Sequence, residues 1–160
     1  MIQKLQDEDA LPTQLYLSTN AADYESFMRI NKPKYNDSWE RWNRTLSMLK
    51  DLNTRTVLRI TLIRDYNDQK ESIPAFVEMF RKASPHFIEI KSYMHIGRST
   101  NRLEYANMLE MEEVKKLSEE IAKQSKMFSI MDESIVSRIS ILQNNERFID
   151  RFISTYANSI

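Results

Sequence analysis

The chain has 160 residues, 41% of them hydrophobic and 29% charged, with Lys plus Arg and Asp plus Glu both at 23. That size suits one domain or a piece of a larger one, and the balanced charge means that any nucleic-acid surface has to be local. With no cysteine and two histidines, these residues exclude disulfides, thiolate metal sites, cysteine nucleophiles and thiolate-held iron–sulfur clusters, and a histidine-built metal site would need carboxylates.

No apolar run approaches a membrane span. Met1 to Asp9 lacks the apolar stretch of a signal peptide, so a cytoplasmic location is the expectation.

Thr13 to Ser18 alternates between Pro12 and Thr19-Asn20 and predicts a strand. Asp23 to Ile30 reads as a short helix stopped by Asn31-Lys32-Pro33. Asp37 or Ser38 can cap a helix running to about Leu52, with Trp39, Trp42, Leu46 and Leu49 on one face. That spacing makes the tryptophans packing residues rather than base-stacking ones.

Thr56 to Ile63 is the clearest strand, followed by the loop Asp65-Tyr66-Asn67-Asp68. Ser72 is placed to cap a helix with Ile73, Phe76, Val77 and Phe80 on its buried stripe, and Pro74 fits its first turn. His86, beside Pro85, reads as a turn residue, and Phe87 to Tyr93 as the third strand. A helix from Met111 to Gln124 buries Val114, Leu117 and Ile121, with Glu112 and Glu113 favourable in its first turn. Phe128–Ile130 and Val136–Leu142 read as short strands, and Phe148, Ile149, Phe152, Ile153 and Tyr156 as a final amphipathic helix.

Three strand–helix units imply parallel strands joined by crossovers. Side chains alternate along a strand, so Leu58, Ile60 and Leu62 oppose Arg59 and Thr61. Ile88 and Ile90 oppose Glu89, Lys91 and Tyr93, while Leu15 and Leu17 oppose Gln14, Tyr16 and Ser18. One apolar and one polar face per strand suits part of a β/α barrel around a ligand better than an open sheet covered on both sides. The exposed edge strand needs a cover.

Gly97 is the only glycine, where about ten would be usual at roughly 7%. It marks a sharp bend or a close approach, in a loop whose side chains suit a phosphate, a carboxylate or a base.

Four stretches together resemble the radical-SAM tRNA 4-demethylwyosine synthase family of wybutosine biosynthesis. They are Pro12-Thr13-Gln14-Leu15-Tyr16-Leu17-Ser18, Ile30-Asn31-Lys32-Pro33, Arg55 to Leu62, and Phe87 to Ser99 continuing through Asn101-Arg102-Leu103, Asn107-Met108 and Glu112-Glu113-Val114. The resemblance implies the C-terminal half of a partial, TIM-like β/α barrel: three parallel βα units, then short strands and a helix. Residues 1–126 would be the barrel half and 127–160 a C-terminal extension.

It further implies a lyase activity that uses S-adenosylmethionine and [4Fe-4S] clusters to condense pyruvate carbons with N1-methylguanosine in tRNA-Phe. The cysteine-bearing N-terminal half would be a partner, and Met1 an internal methionine. Without the thiolates this chain would be inactive alone, with no catalytic residue of its own. The chain departs from the family pattern at Ser92, where glycine is usual, and at Leu109, where proline is usual. Asp132-Glu133-Ser134 echoes the family's acidic segment only loosely, and the Asp132-Glu133 pair reads as solvated rather than metal-binding.

By this resemblance Ser18, Arg59, Asn67, Lys91 and His95 are candidates for S-adenosylmethionine. Arg59, if buried, needs a partner: either Glu89 one strand over or the cofactor's carboxylate. Ser18 and Asn67 could bond the cofactor or satisfy turns. Tyr93, Arg98, Ser99 and Arg102 are candidates for tRNA, the arginines for phosphates and Tyr93 or His95 for stacking. Two alternatives stay open: a non-catalytic tRNA-binding module, and a cofactor-free lyase with Lys91 as a Schiff-base nucleophile and Glu89 and Tyr93 as acid and base.

Overall fold

A computed structural model describes residues 2–153. Its centre is one five-stranded sheet of β1 (Gln14–Thr19), β2 (Arg55–Leu62), β3 (Phe87–Ser92), β4 (Phe128–Ser134) and β5 (Ile139–Asn144), in the order β1-β2-β3-β5-β4. β1, β2 and β3 are parallel; β5 pairs antiparallel with β3, and β4 with β5. The hairpin therefore covers the edge of β3 that three parallel strands would leave open. The fold is mixed α/β, as expected.

The helices are α1 (Ile2–Asp7), α2 (Tyr24–Asn31), α3 (Ser38–Met48), α4 (Ile73–Ala83) and α5 (Met111–Ser125). Asp23 starts α2 by accepting a hydrogen bond from the Ser26 amide at 2.8 Å. Asp37 and Ser72 hold the N-cap positions of α3 and α4 but make no side-chain cap. Asp37 bonds Arg41 instead, and Ser72 ends a 3-10 turn whose backbone leads directly into α4. α5 begins with a capping box between Glu110 and Glu113.

The apolar strand faces pack under the helices as the alternation predicts. Leu58, Ile60, Ile88 and Ile90 are fully buried against Leu46, Leu49, Ile73, Phe80, Val114 and Ile121. Each such side chain contributes roughly 1.5–3 kcal/mol. Trp39 sets its ring edge-on to Tyr24 and Phe27, and Trp42 packs against the main core, so both are packing residues. Among the described residues no helix is long and apolar enough to cross a membrane.

The expected final helix does not form through Ile153; Tyr156 lies outside the described residues. The chain instead runs back under the sheet. Arg55 donates to the carbonyls of Asp150 and Arg151, and Gln143 to that of Ile149. Backbone carbonyls held by side chains from β2 and β5 replace the internal ladder a helix would have made. This segment also covers the lower part of the second sheet face. Lower down, Val57 and Phe87 line a cavity of about 340 Å3 with Met131, Ile141, Phe152 and Ile153.

Candidate functional site

Register sets the upper half of the second face. Ser18 lies beside Arg59 and Arg59 beside Glu89; one step on, Thr61 lies beside Lys91. Arg59 Nε donates to Glu89 Oε1 at 2.7 Å and Nη2 to Oε2 at 3.3 Å. The Arg59 side chain keeps 36% exposure and Glu89 only 9%. The guanidinium lies 4.6 Å above the Tyr16 ring. Hydrogen bonding to Glu89 holds the Arg59 pKa above its ordinary value. Glu89 is thus the partner present, with Nη1 of Arg59 left outside the pair. Lys91 is half-buried and Ser18 exposed, both on this face.

Beyond the strands, Tyr93 is buried at 5%, and its hydroxyl meets His95 Nδ1 at 3.1 Å. His95 sits edge-on between Tyr93 and Tyr105. Burial takes Tyr93 out of the stacking role expected of it; the exposed aromatic at this edge is Tyr105, 68% accessible. Gly97 adopts φ +62°, with nothing within 4 Å of where a Cβ would stand. It serves the bend rather than a close approach. Ser99 donates to the Ile96 carbonyl at 2.7 Å, closing the 3-10 turn Gly97–Asn101. Arg98 and Arg102 are exposed, with no carboxylate partner among the described residues.

Asn67 departs from the expected cofactor role. It is buried, accepting from the Ile63 amide at 2.6 Å and donating to the carbonyls of Asn20 and Thr61 at 2.8 and 2.9 Å. Its oxygen and both amide hydrogens are spent on backbone groups, so it shapes the loop. Asp132 pairs with Arg151.

Sequence reasoning missed a second set. Asn20, Arg29, Lys32, Thr61 and Tyr66 join Tyr93, Ser99 and Arg102 around a cleft of about 230 Å3 at the carboxyl ends of β1, β2 and β3, where β/α barrels place their sites. The signal available was Ile30-Asn31-Lys32-Pro33, read as a helix stop and as one of the stretches that carry the family resemblance, with no site role given to its residues. Arg64 was missed as well. It donates to the carbonyls of Ala106 and Met108 and, through two nitrogens, to Glu113, fixing the turn that carries Tyr105.

Tested against the groups the resemblance implies, this chain offers no thiolate for a cluster. The open edge of Arg59, the Ser18 hydroxyl and the uncovered polar face do suit a zwitterionic ligand such as S-adenosylmethionine.

A family profile described as wyosine base formation matches residues 82–144. The S-adenosyl-L-methionine-dependent tRNA 4-demethylwyosine synthase of Methanocaldococcus jannaschii is 44% identical over 141 residues, 87% of this chain and 43% of that protein. A solved TYW1 with a lysine-pyruvate adduct bound superposes with a TM-score of 0.79 at 42% identity, over 89% of this chain and 44% of that one. The chain belongs to the tRNA 4-demethylwyosine synthase family. It spans under half the length of the relatives it matches. At the level of fold alone, it also resembles Escherichia coli coproporphyrinogen III oxidase (HemN), a radical SAM enzyme, with a TM-score of 0.57 at 12% identity over 88% of this chain and 31% of that one. The residues that the wyosine base formation profile matches, 82–144, hold β3, the loop after it, α5 and the β4–β5 hairpin.

Proposed function

We propose that these residues are the C-terminal portion of a radical-SAM synthase that builds 4-demethylwyosine on N1-methylguanosine in tRNA-Phe, with pyruvate as the carbon donor. The polar face of β1, β2 and β3 is then one wall of a partial barrel. The cysteine-bearing N-terminal portion supplies the other wall and the [4Fe-4S] clusters. The observation that carries this reading is the polar strand face left without a helix, in a chain 44% identical to a synthase of that name.

Bound S-adenosylmethionine would supply the radical that starts carbon–carbon bond formation. This chain's residues bind and orient. Arg59, its charge fixed by Glu89, offers Nη1 to a carboxylate, and Ser18 adds a hydroxyl beside it. Lys91 and His95 continue the same side toward the carboxyl edge. Arg98 and Arg102 face solvent there and suit RNA phosphates, and Ser99 shapes the loop between them.

The test is anaerobic turnover by the full-length enzyme on tRNA-Phe carrying N1-methylguanosine, with pyruvate and S-adenosylmethionine, read by nucleoside mass spectrometry. The 4-demethylwyosine product should appear, and this chain alone should give none. Untouched N1-methylguanosine with the full-length enzyme would refute the reading.

A further inference from the structure

The Ile30-Asn31-Lys32-Pro33 stretch takes no part in the chemistry above, yet it walls the cleft at the carboxyl edge. α2 ends there with Lys32 as its left-handed cap, whose amide donates to the Met28 carbonyl at 3.2 Å. Arg29, one turn earlier, donates to the Tyr66 carbonyl and lies 5.4 Å above the Tyr66 ring. Arg102 approaches from the loop after β3. These three cations share a cleft of about 230 Å3 whose lining contains no acidic residue, and none of them has a carboxylate partner among the described residues.

The remaining lining has the same bias. Asn20 Oδ1 accepts from the Thr61 amide at 3.2 Å, which leaves its Nδ2 hydrogens to donate. Ile30, Ile63, Tyr93 and Leu103 form an apolar floor. Uncompensated cations over a low-dielectric floor attract an anion more strongly than the same charges in open water. The three cations and the Asn20 Nδ2 group are donors only, which suits oxygen atoms carrying negative charge.

We infer that Arg29, Lys32 and Arg102 form an oxyanion subsite beside the barrel mouth, and that its occupant is a phosphodiester of the RNA flanking the modified nucleotide. This rests on the reading that the barrel acts on tRNA. The same chemistry could come from the carboxylate of a 2-keto acid, and the two sources separate by experiment. Arg29 is held by Tyr66, so Lys32 and Arg102 are the informative positions.

The experiment uses the full-length enzyme carrying Lys32→Gln or Arg102→Gln. An anticodon stem–loop RNA is titrated by fluorescence anisotropy between roughly 50 and 300 mM salt, and pyruvate by calorimetry. Each variant should weaken RNA binding about three- to tenfold and reduce the logarithmic salt slope by about 0.7. Lys126→Gln is the matched control: that lysine also occupies a left-handed helix cap, at the opposite end of the sheet, and the substitution should change nothing. Weakened pyruvate binding with RNA unaffected would keep the subsite and reassign its occupant. Unchanged binding of both, or an equal loss in Lys126→Gln, overturns the inference. RNA binding needs no turnover, so a wild-type enzyme that makes no 4-demethylwyosine refutes the proposed function without deciding the subsite.

Discussion

The hydroxyl of Ser92 accepts a hydrogen bond from the amide of Leu109 at 2.8 Å, joining the end of β3 to the segment that leads into α5. Ser92 is fully buried and Leu109 is 1% exposed. These are the two positions where the chain departs from the glycine and proline its family resemblance implies. The departures answer each other. A proline has no amide to satisfy, and a glycine has no hydroxyl to satisfy one, so Ser92 with Leu109 replaces a pair that needs no bond by a pair that makes one.

Coupling between these positions follows. Ser92→Ala leaves a buried amide unpaired and should cost about 1–3 kcal/mol. Met108, at φ −77° and ψ 141°, already has the extended backbone that precedes proline. Ser92→Gly with Leu109→Pro should therefore cost less than the sum of the two single changes, by about 0.5–3 kcal/mol. Urea unfolding of the four proteins measures it, and strict additivity would refute it.

Arg59 should matter to folding even where no ligand is bound. Arg59→Met strands the Glu89 carboxylate under cover without its charge partner. Because Arg59 is itself about one-third exposed, the expected loss near neutral pH is about 1–3 kcal/mol, below the range for fully buried pairs. Denaturant midpoints of wild type and variant near neutral pH test this, and equal midpoints would contradict it.

His86 gives the sheet a pH limit. Its Nδ1 accepts from the Thr56 amide at 3.1 Å. Burial, followed by the charges of Arg147 and Arg55, lowers its pKa from the ordinary 6.5 to about 4. The unfolded chain therefore binds the proton first, and stability should fall as pH drops from about 6.5 toward 4. His86→Asn, which can present an oxygen to the same amide, should flatten that window. Thermal melts at stepped pH report it, and an unchanged profile in the variant would assign the loss to other groups.

Arg64 should control the stiffness of the turn that displays Tyr105. Besides its guanidinium bonds, its amide donates to the Asn107 carbonyl at 2.9 Å, and its carbonyl accepts from the Asn107 side chain. Arg64→Lys keeps the charge near Glu113 but loses the forked contacts. Hydrogen exchange at Asn107 and Met108 should rise by about tenfold or more while the core strands stay protected. Equal protection in both proteins would show that the turn holds itself.

Local chemistry made most of the scaffold legible. Alternation in Arg55–Leu62 and Phe87–Ser92 separates a helix-covered face from a polar one, because pleating fixes side-chain direction residue by residue. The Arg59–Glu89 contact was foreseeable for the same reason, since neighbouring parallel strands put like-facing side chains together. The final helix failed because a helical pattern in Phe148–Ile153 competes with side chains elsewhere. Arg55 and Gln143 capture the carbonyls of Ile149, Asp150 and Arg151, and nothing in the segment's own spacing reveals that.

By itself, the sequence determined the order of strands and helices from β1 to α5, the apolar faces of β1, β2 and β3, and the membership of a family whose motifs lie from Pro12 to Val114. Tertiary structure alone decided that β5 enters between β3 and β4, that Asn67 turns inward, and that Arg29, Lys32 and Arg102 meet at one cleft. Periodicity and capping act over a few residues, whereas strand pairing and clefts depend on which distant segments share a surface. Only the assembled sheet brings α2 and the loop after β3 to the same edge.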